Sequence, residues 1–180
     1  MALEHALLVA LSEKPGSGLE LARRFDKSIG FFWHATHQQI YRVLGRMEKD
    51  GWLAVEVVPQ AGAPDRKVYA VTDAGAAALA DWLAAPTPME ELRSEVAVKM
   101  RGASFGERAA VLEVLRANLA DHLARLDHYR RLEKAYDDPA ALTGHALDQF
   151  LVLRGGIRLE EFWVGWLEDY LDAHTPGETR

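Results

Sequence analysis

Thr36–His37–Gln38–Gln39–Ile40–Tyr41–Arg42–Val43–Leu44–Gly45–Arg46–Met47–Glu48–Lys49–Asp50–Gly51–Trp52–Leu53 is the segment on which the fold turns. Ile40, Val43, Leu44 and Met47 recur at helical spacing and form one apolar stripe. The other side carries Gln38, Gln39, Tyr41, Arg42, Arg46 and Lys49, hydrogen-bonding and cationic groups in place of an ordinary Glu/Lys mixture. Thr36 with Gln39 makes a capping box that opens the helix, and Gly51 closes it from the C′ position. A helix with one buried face and one Gln/Tyr/Arg face can lie in a DNA major groove.

Upstream, residues 2–12 read as a short buried helix and Lys14–Pro15–Gly16–Ser17–Gly18 as a turn. Ser17 with Glu20 is a second capping box, opening a helix whose apolar face is Leu19, Leu21, Ala22 and Phe25. Gly30–Phe31–Phe32–Trp33–His34 is an aromatic loop, and large aromatics at a helix junction usually fill core. Downstream, Trp52–Val58 and Arg66–Val71 read as strands joined by the Gly/Pro loop 59–65, which makes a hairpin. Thr72 and Asp73 then cap a helix to about Ala84. Three helices followed by a hairpin, with the third helix polar on one side, is the order of a winged helix-turn-helix.

Pro86–Thr87–Pro88 is the clearest linker, and divides the chain into residues 1–85 and 86–180. Beyond it the pattern is helical: a short helix over 89–100, a long one from Phe105 to about Tyr136, and another over 140–173 after the break at Asp137–Asp138–Pro139. Leu112, Leu115, Leu119, Leu126 and Tyr129, with Leu123 alongside, form a stripe for packing against another helix. The fold class expected is mainly α: an N-terminal winged helix-turn-helix with a two-stranded wing, then a C-terminal all-helical dimerisation domain.

The chain has 180 residues, no cysteine and a net charge of −6. Disulfides and thiolate metal sites are thereby excluded, and indiscriminate binding to polyanions is disfavoured. The charge is uneven: residues 1–85 hold 9 Lys/Arg and 10 Asp/Glu, residues 86–180 hold 12 and 17. Between Lys14 and Met47 six cations (Lys14, Arg23, Arg24, Lys27, Arg42, Arg46) face two anions, Glu20 and Asp26. Such a stretch suits phosphates while the other half repels them. No apolar run approaches the ~18 residues of a membrane span, and the first residues lack the basic region of a signal peptide. No membrane partner and a cytoplasmic location are therefore expected.

Phe32–Trp33–His34–Ala35–Thr36–His37–Gln38–Gln39–Ile40–Tyr41–Arg42–Val43–Leu44 resembles the recognition region of PadR-type transcriptional regulators. Pro64–Asp65–Arg66–Lys67–Val68–Tyr69–Ala70–Val71–Thr72–Asp73–Ala74–Gly75 resembles their wing and following helix. The C-terminal half, with Trp163–Val164–Gly165–Trp166–Leu167–Glu168, is similar to the dimerisation domain of the branch with an AphA-like C-terminal region. One departure is the wing's opening, Gln60–Ala61–Gly62–Ala63, where a more polar segment is usual. The resemblance implies a homodimer, repression more often than activation, and, in members that bind small molecules, an aromatic pocket near the dimer interface.

The residues expected to meet double-stranded DNA are Thr36, His37, Gln38, Gln39, Tyr41, Arg42 and Arg46 on the helix, with Arg66 and Lys67 on the wing. Glutamine pairs bidentately with adenine and arginine with guanine, so Gln38, Gln39 and Arg42 suit base edges. Tyr41 and Arg46 suit phosphates, which position rather than specify. The blander reading is a solvated helix face, and for the wing a cationic pair satisfied by Asp65 or Glu56. Leu115, Leu119, Leu126, Phe162, Trp163, Trp166 and Tyr170 are read as dimer interface, with the aromatic members as the alternative lining of a small aromatic effector's pocket. His34 and His37 lack a metal-ligand setting, since no HExxH or His/Asp cluster is present. No metal, cofactor or catalytic constellation is expected. The leading reading is a homodimeric transcription regulator on an inverted-repeat operator. Its rival is a winged-helix dimer that binds a small molecule or protein without touching DNA.

Overall fold

A computed structural model describes residues 2–25, 35–59, 65–89 and 92–174. They fall into two compact units, Met1–Met89 and Glu90–Arg180. No helix among the described residues is long and apolar enough to cross a membrane. The aromatic loop 30–34 and the wing tip 60–64 lie outside the described residues.

The N-terminal unit runs α1 (Ala2–Glu13), β1 (Gly16–Ser17), α2 (Gly18–Phe25), α3 (His37–Lys49), β2 (Leu53–Val58), β3 (Arg66–Val71) and α4 (Asp73–Ala84). Its strands form an antiparallel sheet in the order β1-β3-β2. Tyr69 lies opposite Val55 on one side and Gly16 on the other. The expected two-stranded wing is the β2–β3 hairpin, β1 joins it as a third strand, and part of the expected turn at residues 14–18 is thus a strand. Two residues are too few to carry an alternation pattern, so only the tertiary pairing reveals β1.

Apolar burial sets the framework. Leu7, Leu8 and Leu11 of α1, Leu21 of α2, and Ile40, Leu44 and Met47 of α3 are fully buried. Leu53 and Tyr69 close this core from the sheet. The end of α3 is fixed by backbone geometry. Gly51 has φ +74, its N–H donates to the Glu48 carbonyl at 3.2 Å, and the Trp52 N–H donates to the Met47 carbonyl at 2.9 Å. These are the paired bonds of a Schellman motif, and they turn the chain directly into β2. Thr72 ties the next helix to that turn. Its hydroxyl donates to the Gly51 carbonyl at 2.7 Å and accepts from the Gly75 N–H at 3.1 Å. Gly75 lies so close to β2 that a Cβ there would stand 2.3 Å from the Trp52 carbonyl oxygen.

The C-terminal unit contains α5 (Glu95–Gly102), a 3-10 turn (Ala103–Phe105), α6 (Arg108–Glu133), a second 3-10 turn (Pro139–Ala141) and α7 (Gly144–His174). Three sequence-derived boundaries move. The short helix begins at Glu95, because the Ser94 hydroxyl caps it by accepting from the Ala97 N–H at 3.1 Å. The long helix begins at Arg108, after an extended Gly106. Its 26 residues span about 39 Å, less than the expected run to Tyr136. The last helix starts at Gly144, after the 3-10 turn that Pro139 opens.

α6 and α7 pack as a hairpin. One core joins Leu112 and Leu115 of α6 to Leu167 and Leu171 of α7 and Met100 of α5. The Tyr170 hydroxyl donates to the Met100 carbonyl at 2.7 Å. Midway along the hairpin Glu160 is only 4% exposed. Its carboxylate meets Nδ1 of His122 at 2.6 Å and the Arg125 guanidinium at 3.4 Å, and the His122 ring stacks on Trp163.

Two glycines give opposite expectations. Gly75→Ala should destabilise the fold by roughly 1–3 kcal/mol, since the new methyl meets rigid backbone. Gly45→Ala, in α3 with open space around its Cβ position, should stabilise it by about 0.5–1 kcal/mol. Urea denaturation of both variants checks the pair. Glu160→Ala should cost about 2 kcal/mol in the same assay, because it strips a part-buried histidine of its partner.

Candidate nucleic-acid interface

The polar face of α3 is set by what lies beneath it. With Ile40, Val43, Leu44 and Met47 buried, the remaining positions must point away from the core. Thr36, His37, Gln38, Gln39, Tyr41, Arg42 and Arg46 are all exposed. The helix start is pinned by a reciprocal capping box. The Gln39 N–H donates to the Thr36 hydroxyl at 3.2 Å, and the Thr36 N–H donates to Oε1 of Gln39 at 2.9 Å. Gln39 thereby commits its carbonyl to the cap. A bidentate adenine contact uses both the carbonyl and the amino group, so Gln39 held in this cap is not placed to make one. Tyr41 lies across the start of α2, where a Cβ on Gly18 would come within 2.3 Å of its ring. Gly18 is what lets the two helices come this close.

The structure brings Arg46, Arg66 and Lys67 each onto a carboxylate. Arg46 meets Glu4 of α1 at 2.6 Å. Arg66 meets Glu20 of α2 at 3.1 Å, and Lys67 meets Glu48 of α3 at 3.3 Å. The wing cations therefore do have intramolecular partners, but these are Glu20 and Glu48 in place of Asp65 and Glu56. Successive residues of a strand project to opposite faces, so Arg66 and Lys67 reach different helices. Arg24, counted in the basic stretch, donates instead to the carbonyls of Ala10 at 3.2 Å and Lys14 at 2.6 Å. It finishes α1 rather than facing outward.

Glu20 is the busiest of these acids. Its Oε2 accepts from the Ser17 N–H and the Ser17 hydroxyl, both at 2.8 Å, while Oε1 takes Arg66. The Ser17 backbone bond, then its hydroxyl, then the Arg66 and Arg24 charges hold this carboxyl below its ordinary range. Among the described residues no group of three or more His, Asp or Glu side chains is placed to hold a metal ion.

The interface candidates of the C-terminal unit separate into two sets. Leu115 and Leu126 are buried within the α6–α7 hairpin, and Tyr170 is bonded to α5. These side chains are engaged inside their own unit. A stripe on a helix does not reveal whether its partner is the next helix of the same chain. Phe162 is 52% exposed and packs edge-on against Trp163 and tilted against Trp166. Leu119, Trp163 and Trp166 are half-buried.

This architecture has close counterparts. Residues 7–81 match the model of the transcriptional regulator PadR-like family, and residues 92–175 match the virulence activator alpha C-terminal model. The chain is 50% identical, over 96% of its length and 97% of the relative's, to the probable transcriptional regulator Rv1176c of Mycobacterium tuberculosis. The chain belongs to the PadR-like family of transcriptional regulators. That family regulates transcription and is not one of enzymes. Bacillus subtilis PadR, a negative transcriptional regulator, is 28% identical over 94% of this chain and 95% of its own. Its crystal structure in complex with operator DNA aligns with a TM-score of 0.82 at 27% identity, covering 96% of this chain and 99% of that one. Its complex with p-coumaric acid aligns at 0.76 and 26% identity, covering 96% and 98%. The Vibrio cholerae virulence activator AphA aligns at 0.77 and 28% identity, covering 95% and 96%.

The lowered Glu20 value has a pH signature. A carboxyl depressed in the folded state stabilises above its ordinary range, and that contribution disappears as pH falls through the lowered value. Glu20→Gln should therefore flatten the acid limb of stability against pH. Urea unfolding between about pH 5 and pH 3 reads the difference, and an unchanged acid limb counts against the Ser17–Glu20–Arg66 arrangement.

Proposed function

We propose that the protein is a homodimeric repressor that binds an inverted-repeat operator and is released by a small aromatic compound. The observation that carries this reading is the exposed Gln/Tyr/Arg face of α3, held rigid by a capping box at one end and a Schellman turn at the other. The operator complex of Bacillus subtilis PadR supports it. In this reading residues 1–85 bind DNA and residues 86–180 dimerise. Gln38 and Arg42 meet base edges, His37 meets a base or a phosphate, and Thr36 and Gln39 fix the helix start. Tyr41, Arg46, Arg66 and Lys67 hold the backbone.

Dimerisation is supported by a second apolar stripe on α7. Leu151, Leu159 and Phe162 are exposed, on the side away from the buried Leu153, Ile157, Val164 and Leu167. A two-fold dimer requires half-sites about 34 Å apart or a multiple of it. Occupying a promoter in this way excludes polymerase and represses. The p-coumaric acid complex of PadR supports a phenolic effector, with Trp163 and Trp166 as the aromatic groups nearest the exposed stripe.

Fluorescence anisotropy on duplex DNA from upstream of the protein's own gene tests the reading. Affinity should fall with salt at a slope of about −0.9 per phosphate contacted, and p-coumarate should weaken it. Absence of binding to any such duplex leaves the rival, a winged-helix module without direct DNA contact. Gln38→Ala should change preference between operator and variant bases by about 1–3 kcal/mol. Phe162→Glu should shift the protein from dimer to monomer in sedimentation, with the helical content retained.

A further inference from the structure

We infer that Glu20 and Glu48 are built-in competitors for DNA phosphate: they hold the wing's Arg66 and Lys67 in ion pairs that a duplex must exchange. This rests on the DNA-binding reading above. The pairs join distant parts of the chain: Arg66 to Glu20 across 46 positions and Lys67 to Glu48 across 19. They fasten β3 to α2 on one side and to α3 on the other. Glu20 is itself fixed by two bonds from Ser17, so it presents Oε1 to Arg66 from a rigid base. Glu48 sits in the last turn of α3, directly before the Schellman turn. Both pairs are solvated, with side chains 35–51% exposed, and solvated pairs exchange readily.

A higher threshold for binding is the consequence. A duplex that fits only the wing gains little, since each phosphate contact costs an existing carboxylate contact and releases fewer counterions. A duplex that also seats α3 has base contacts to offset that exchange. The net charge of −6 works in the same direction. The two acids thus lower affinity for any duplex that meets the wing, and a duplex with base contacts to α3 has the surplus to bind despite them.

The test measures wild type, Glu20→Gln, Glu48→Gln and the double variant on operator and random duplexes across a salt series. Glutamine keeps an acceptor for Ser17, so the α2 cap survives, and Glu48→Gln touches no cap at all. Each variant should bind random duplex about two- to fivefold more tightly, the scale of one exposed ion pair. The salt slope should steepen by up to about 0.9 per cation released. The gain from Glu20→Gln should vanish in an Arg66→Gln background, and that from Glu48→Gln in a Lys67→Gln background. Glu56→Gln, which removes a charge from β2 that forms no ion pair among the described residues, should give a smaller gain. A wild-type protein that binds no duplex overturns the DNA-binding reading itself. Wild-type binding with unchanged affinity and slope in the variants overturns only the competitor role. So does a gain that persists without the paired cation, because it then reflects the general field.

Discussion

The stripe of Ile40, Val43, Leu44 and Met47 packed onto α1 and α2 is the constraint from which the rest of the N-terminal unit follows. Each such side chain contributes about 1.5–3 kcal/mol when removed from water, against about 0–1 kcal/mol for an exposed ion pair. Apolar burial therefore decides which way α3 faces, and the ion pairs around it only adjust what the outward face offers. Because the buried stripe admits one rotation of the helix, Gln38, Tyr41 and Arg42 point outward. Because the Gly51 turn follows without a loop, the same constraint also places β2.

Helix α3 is well marked in the sequence because its determinants are local. Thr36 and Gln39 are one turn apart, and Gly51 follows the last turn directly. Glu4, Glu20 and Glu48 are a different case. Nothing in the neighbourhood of Arg46, Arg66 or Lys67 points to them, since the partners come together only when α1, α2 and α3 gather around β3. β1 is hidden for the same reason. From Met89 at the end of the N-terminal unit the apolar pattern runs on through Leu92 and Phe105, and all three are exposed. Periodicity then overextends the helices, and only the Ser94 cap and the extended Gly106 show where α5 and α6 begin.

Electrostatics in the two units follow one rule at different depths. In the N-terminal unit the Arg66–Glu20 and Lys67–Glu48 pairs are solvated and exchangeable. In the α6–α7 hairpin Glu160 is buried with both oxygens occupied, by His122 and Arg125. Breaking a buried arrangement of this kind costs far more than breaking a surface pair. Such a group favours the register in which Glu160 meets His122 and Arg125, because a carboxylate buried without partners is costly.

That pinned register gives α7 its second face. With Leu153, Ile157, Glu160, Val164, Leu167 and Leu171 turned inward, Leu151, Leu159 and Phe162 have no place in the hairpin core. They stay exposed although they are as apolar as their buried neighbours. Scattered apolar side chains on a surface need no explanation, but a contiguous row along one helix does. Gly155 lies within this row with no atom near its Cβ position, so another backbone can approach there without obstruction. The buried Glu160 and the open row are thus two results of one packing decision: fixing how α7 rotates against α6 also determines which of its apolar residues are left for a partner.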